Sequence, residues 1–178
     1  MNIVMLGAGN VATHLSKALQ LKGHNITQVY SKTVASAKAL AAQLNAPYTT
    51  EINDVKPTAD IYIYALKDNA LEDVIHKLDV PNAIHIHTAG SVSIDVFEDR
   101  VRYFGVIYPM QTFSKSKEVN FENIALMVEA NTEKTFDTLF GIAQQLSNKC
   151  YKIDSGERKK IHLSAVFACN FVNYMYTV

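Results

Sequence analysis

Gly7, Gly9 and Ala12 are spaced as Gly-x-Gly-x-x-Ala, and nothing about that spacing is local to a single element. An apolar, β-branched run from Asn2 to Leu6 precedes it, and Val11, Leu15, Ala18 and Leu19 recur behind it at helical spacing up to Lys22-Gly23. A strand, a glycine turn and a helix in that order form a phosphate cradle. Gly7 permits the tight turn, Gly9 lets a pyrophosphate approach the backbone, and Ala12 lets helix and strand pack closely. The run Gly7, Ala8, Gly9, Asn10 and Val11 would then hold the pyrophosphate on the N–H groups of the helix N-terminus. A plain glycine turn between a strand and a helix is the structural alternative.

A second constellation lies at Ser31, Lys32 and Thr33, behind a strand expected at Ile26 to Tyr30. A carboxylate here would accept from a ribose 2′-hydroxyl and repel a 2′-phosphate. None is present, and two hydroxyls, an ammonium and a new helix N-terminus converge instead, which points to NADP(H). The alternative is a capping hydroxyl beside a solvated lysine.

These residues need a frame to hold them, and the rest of the chain supplies one. A second helix carries Ala37, Leu40, Ala41 and Leu44 and stops before Pro47, while Ile61 to Leu66 is apolar on both faces, as in a strand covered on both sides. Asp68 is expected to cap the helix with Leu71, Val74, Ile75 and Leu78. Further strands are expected at Ala83 to His87, Tyr103 to Ile107, Ile124 to Val128 and Cys150 to Ile153, with a helix from Thr132 to Leu146. The fold class is therefore α/β, a Rossmann-type, doubly wound and mostly parallel sheet over residues 1–153. Asp154 followed by Glu157 starts a last helix over residues 154–178, and because the pattern is still helical at Val178 a fragment is expected, with completion of the helix by partner surface as the alternative.

Composition narrows the partners. The 178 residues carry 17 basic and 17 acidic side chains, so no long-range field draws the chain to nucleic acid or an anionic membrane. No uninterrupted apolar stretch reaches membrane-spanning length, and the start lacks the pattern of a secretory leader, so a cytoplasmic location is expected. Cys150 and Cys169 are far apart and lack zinc or redox spacing. His85 and His87 share a strand face but have no third ligand at suitable spacing, so no metal site is expected.

Four stretches resemble the six-phosphogluconate-dehydrogenase-like superfamily, and more closely its Rossmann-like plus DUF2520 family of NADP or coenzyme F420-dependent oxidoreductases. They are Gly7 to Ala12, Ala65-Leu66-Lys67-Asp68, His87-Thr88-Ala89-Gly90, and Tyr108-Pro109-Met110-Gln111-Thr112-Phe113, the last similar to the family's His-Pro-Leu-Gln-Thr-Phe. The segment from His162 to Asn170 is similar to the opening helix of the family's second domain, so the resemblance implies that residues 154–178 are the first, truncated helix of an all-helical domain. The resemblance implies that Ala65, Leu66 and Lys67 line the nicotinamide side and that Thr88 and Gly90 border a small substrate, while the apolar final helix leads one to expect a homodimer through the C-terminal helices. The resemblance also implies a catalytic Lys four residues before Asn170. Val166 stands there, so His162 becomes the candidate acid or base, with Asn170 orienting the reacting group. At about 100° per residue, His162, Asn173 and Asn170 fall at roughly 0°, 20° and 80°, on one stripe of an apolar helix.

The activity expected on these grounds is hydride transfer between nicotinamide and a small imine or carbonyl. A sensor or scaffold that binds NADP without turnover is the rival expectation, favoured by the missing Lys. Hydride exchange with a deazaflavin rests on the family label alone.

Overall fold

A computed structural model describes residues 1–168. Asn170 and Asn173 lie outside the described residues. Eight strands form one sheet in the order β3-β2-β1-β4-β5-β6-β7-β8. The strands are β1 (Asn2–Leu6), β2 (Asn25–Tyr30), β3 (Tyr48–Thr49), β4 (Ile61–Tyr64), β5 (Ile84–His87), β6 (Tyr103–Pro109), β7 (Leu126–Ala130) and β8 (Cys150–Lys152). The helices are α1 (Asn10–Leu21), α2 (Val34–Leu44), α3 (Asp68–Lys77), α4 (Glu133–Leu146) and α5 (Ser155–Val166). Strands β1 to β6 pair in parallel, β7 runs antiparallel to β6, and β8 is parallel to β7. The doubly wound α/β sheet expected from the sequence is thus present.

Alternation within β1 shows why both faces are covered. Ile3 and Met5 join a core with Leu15 and Leu19 of α1, Leu40 and Leu44 of α2, and Leu139 and Ile142 of α4. Val4 and Leu6 join the opposite core with Tyr62, Tyr64, Val106 and Phe97, roofed by Leu71, Val74 and Ile75 of α3. A strand buried on both faces has no polar side to show, which is why its sequence reads as an apolar run.

Several boundaries differ from expectation for local reasons. β4 ends at Tyr64 because the chain turns away at Ala65, whose N–H still donates to Leu6 O at 2.8 Å. β7 begins two residues late because Phe121–Asn123 forms a short 3-10 turn and pairing starts with Pro109 opposite Leu126. Asp68 does not cap α3: Lys67 holds the N-cap position, and Asp68, the first helical residue, accepts from the Ser91 hydroxyl. Asp154 does cap α5, accepting from Glu157 N at 2.8 Å.

Strand order reverses between β1 and β4, since β2 lies on one side of β1 and β4 on the other. Ligands of open α/β sheets collect outside the carboxyl ends at such a switch point. The glycine turn after β1 and the Ala65–Lys67 stretch after β4 meet there.

Candidate dinucleotide and substrate site

Gly7 has a φ of +121°, and a Cβ at that position would lie 2.2 Å from Ala65 O, a backbone atom with no freedom to retreat. The requirement for glycine here is internal to the fold. Gly9 is the opposite case. Its φ is −81°, and a Cβ there would meet nothing within 4 Å. The fold itself has no need of a glycine at residue 9, so the clearance above the helix N-terminus is room for something else.

That N-terminus is also left open. Gly9 is the N-cap of α1 and offers no side-chain acceptor, and no acidic residue stands in the first turn. Free N–H groups and the positive end of the helix dipole are the complement of a pyrophosphate. Ala12 is fully buried, as close packing on β1 demands. The Asn10 side chain is already engaged, donating to Phe113 O at 2.7 Å, so what Asn10 offers a ligand is its backbone. The neighbouring loop is tied down twice more: His14 Nε2 lies 2.9 Å from Ser114 O, and Lys115 Nζ donates to Ala8 O at 2.9 Å.

Ser31, Lys32 and Thr33 stand together at the carboxyl end of β2. Ser31 continues the ladder through its N–H to Thr49 O, and Thr33 is the N-cap of α2 but makes no side-chain cap bond. The first turn of α2 carries no acidic residue, so its N–H groups are also free of a side-chain anion. Lys32 Nζ is 3.5 Å from Asp73, with both side chains well exposed. Asp73 belongs more firmly to Lys77, at 2.7 Å. The Lys77 hydrogen bond is also the largest cause that holds the Asp73 carboxyl below the usual carboxylate range. Lys32 is therefore loosely held.

Across the switch point, Ala65 is buried against Gly7, Leu66 is half-buried, and Lys67 is exposed. Beyond β5, the Thr88 N–H donates to Tyr64 O at 3.3 Å and the Ala89 N–H to His87 Nδ1 at 3.1 Å. Gly90 is pressed against α5: a Cβ there would lie 2.5 Å from both Cγ and Nδ1 of His162. His162 Nδ1 in turn lies 2.9 Å from the Tyr108 hydroxyl, with the two rings edge to face. The geometry thus brings Gly90 and His162 together and adds Tyr108, which the sequence had offered only as part of a loop motif. Tyr108 is raised from its ordinary pKa by burial, opposed by the nearby Arg158 guanidinium.

Arg158 explains why α5 sits where it does. The side chain is 1% exposed and pairs with Glu129 of β7, with further donation to Val92 O and, at 3.1 Å, to Ser155 Oγ. Ser155 Oγ donates to Glu129 Oε2 at 2.8 Å and accepts from Ile94 N. Glu129 lies opposite Val106 in the middle of β6, and four residues along α5 His162 meets Tyr108, nearer the carboxyl end. The helix therefore climbs toward the same edge of the sheet as the glycine turn.

The two strand histidines are fully buried. His85 Nε2 lies 2.8 Å from Val80 O and its Nδ1 2.9 Å from Tyr64 OH, and burial lowers its pKa to about 4. His87 is lowered to about 3, by burial first and by the Arg158 charge second. Among the described residues, no three His, Cys, Asp or Glu side chains gather to hold a metal ion. No helix among the described residues is long and apolar enough to cross a membrane. A surface groove of about 670 Å³ lies at the amino ends of the strands, away from this edge, and one of about 930 Å³ runs along α1 and begins beside the cradle, at Thr13, His14 and Lys115.

A glycine cradle at the switch point of a doubly wound sheet defines a dinucleotide-binding α/β protein. Comparison with known proteins agrees. The family described as NADP oxidoreductase, coenzyme F420-dependent, matches residues 2–94, and the domain of unknown function DUF2520 matches residues 124–178. A solved structure from Bacteroides fragilis, designated an NADP oxidoreductase, is 46% identical with a TM-score of 0.91, over 99% of this chain and 69% of that one. A Thermotoga maritima protein is 23% identical (TM-score 0.76, 97% and 65% covered). An imine reductase from Myxococcus stipitatus, solved with NADP+, is 14% identical (TM-score 0.75, 99% and 64% covered). The last two show likeness of fold alone. No curated protein matches the chain. The chain belongs to the NADP oxidoreductase family that combines this Rossmann-like domain with DUF2520, and NADP(H) is the cofactor of that family.

Proposed function

We propose that the protein transfers a hydride between NADP(H) and a small imine or carbonyl substrate, with His162 as the acid or base. The contact of His162 with Gly90 and Tyr108, at the carboxyl ends of β5 and β6 beside the cradle, is the observation that carries this reading. In this reading Gly7 to Val11 hold the pyrophosphate, and Ser31, Lys32 and Thr33 the 2′-phosphate. Ala65, Leu66 and Lys67 line the nicotinamide side, and Thr88 and Gly90 border the substrate.

NADPH, when bound, supplies the hydride. The chain's own residues must then deliver one proton to the substrate nitrogen or oxygen. Tyr108 remains a phenol at neutral pH because burial opposes its ionisation. As an acid His162 carries a proton on each nitrogen: the one on Nδ1 is shared with the Tyr108 oxygen, and the one on Nε2, which has no partner among the described residues, is given to the substrate, leaving a neutral imidazole. Such a group supplies about 10²–10⁴-fold in rate, and positioning supplies the remainder.

The C-terminal part of the reading is also proposed. Residues 1–153 form the cofactor domain and 154–178 open a helical one, in which Asn170 orients the substrate. Leu163 and Phe167 are exposed and apolar, which supports a homodimer through the C-terminal helices. The free Cys150 thiol suits the reducing cytoplasm.

Calorimetric titration with NADPH and NADH, followed by a screen of imines and 2-oxo acids, tests the function. NADPH binding that weakens in Lys32→Glu, with turnover that falls in His162→Ala, is expected. Full turnover in His162→Ala removes that residue from the mechanism, and NADPH binding without turnover of any substrate favours the sensor reading.

A further inference from the structure

The pyrophosphate cradle contains no cation of its own. From Gly7 to Thr13 the side chains are small, apolar or neutral, so the loop offers N–H groups and a helix dipole against a ligand segment that carries two negative charges. The ammonium that reaches the loop comes from more than a hundred residues away in sequence: Lys115 Nζ donates to Ala8 O, between Gly7 and Gly9, at 2.9 Å.

This placement is supported by the residues before it. Phe113 is buried, stacked on His14 at 5.5 Å and on Phe121 at 5.8 Å. Its carbonyl accepts from Asn10 Nδ2, and the Ser114 carbonyl is held by His14 Nε2. Two consecutive carbonyls are thus fixed to the first and second turns of α1, and Lys115 is the next residue. The backbone aims the lysine at the glycine turn, while its own side chain stays exposed and free to move over it.

Lys115 also lacks a counter-charge. Among the described residues the ion pairs are Lys32 and Lys77 with Asp73, and Arg158 with Glu129. Lys115 rests on a neutral carbonyl. Exchange of that carbonyl for a phosphate oxygen turns a charge-to-dipole contact into a charge-to-charge one.

We propose that Lys115 is a cofactor-binding residue whose ammonium leaves Ala8 O and closes on the pyrophosphate of NADP(H). The assignment rests on the NADP(H) reading above and deepens it. It divides the work between two lysines: Lys32 at the 2′-phosphate and Lys115 at the pyrophosphate.

Three probes separate this role from a structural one: NADP+, 2′-phospho-ADP-ribose, which keeps the pyrophosphate but lacks nicotinamide, and adenosine 2′-monophosphate, which lacks both. Calorimetry of the full chain and of Lys115→Gln is expected to show NADP+ and 2′-phospho-ADP-ribose weakened alike, by about tenfold, as suits one solvent-exposed charge-assisted contact. Adenosine 2′-monophosphate should be unaffected. Lys115→Arg should retain most of the affinity, and unchanged melting curves for both variants show that the fold is intact. Equal weakening of all three probes means that Lys115 only shapes the glycine loop, and weakening of NADP+ alone moves it to the nicotinamide; either result overturns the assignment. Wild-type binding with no change in Lys115→Gln overturns it while leaving the NADP(H) reading intact. A wild-type chain that binds none of the probes overturns both.

Discussion

Replacing Gly7 and Gly9 by alanine, one at a time, should separate what the fold requires from what the ligand requires. At Gly7 the new methyl would lie 2.2 Å from Ala65 O on a backbone with φ of +121°. The dihedral strain costs about 1–3 kcal/mol, and overpacking against an immobile carbonyl a further 1–3 kcal/mol. A domain of this size loses about 2–4 °C in Tm per kcal/mol, so Gly7→Ala should melt roughly 5–20 °C early. At Gly9 the backbone suits alanine and the methyl meets open space. Reduced unfolded-state entropy gains about 0.4–1 kcal/mol, and the poorer N-cap loses a similar amount, so its Tm should stay within about 2 °C of wild type. NADPH at a hundred times its Kd should stabilise the wild type by about 2.7 kcal/mol, a rise of roughly 5–11 °C. Gly9→Ala should lose most of that rise, because its methyl occupies the clearance the phosphates need. Differential scanning fluorimetry with and without NADPH reads both effects. A Gly9→Ala chain with the full ligand-induced rise would refute the cradle, and a Gly7→Ala chain that melts like wild type would refute the strain argument.

Gly90→Ala should drive the His162 ring off Tyr108, since the added carbon would lie 2.5 Å from it; kcat should fall while NADPH affinity holds, as steady-state kinetics with calorimetry can show. Arg158→Ala removes a fully buried side chain and leaves the half-buried Glu129 carboxylate without its cation, and should cost about 3–5 kcal/mol, measured by urea unfolding. His85 and His87 have folded pKa values of about 4 and about 3, below the unfolded value near 6.5. The unfolded chain therefore takes up protons first: stability is complete above pH 6.5 and should fall by about 1.4 kcal/mol per histidine per pH unit as pH drops toward the folded values. Urea midpoints at pH 7, 6 and 5 test this, and a flat profile would count against neutral buried imidazoles.

The sheet and its switch point were legible because their signals are local and periodic. Asn2 to Leu6 followed by Gly-Ala-Gly leaves few alternatives, and both-face burial made β4 visible as a run. β3 was not legible: two residues after Pro47 have no alternation to read. His162 could be singled out as a polar group on an apolar helix, but its partner could not, because Tyr108 meets it only through the sheet. Arg158 lies beside Lys159 and Lys160, and nothing in a basic first turn tells a buried guanidinium from two solvated ammoniums. The difference is made by Glu129, a strand away. Lys115, between serines in an exposed loop, carries no pattern at all; its address is set by Phe113 and Ser114.

Arg158 and His162 are four residues apart, slightly more than one helical turn, so they project from one side of α5. The ion pair with Glu129 thereby acts as an index mark for the helix: it fixes the rotational phase in which α5 lies down on the sheet, and that phase decides which side chain looks into the site. A residue inserted between Arg158 and His162 would turn everything beyond it by about 100°. The imidazole would then swing away from Tyr108 even though every group that binds the cofactor stayed in place.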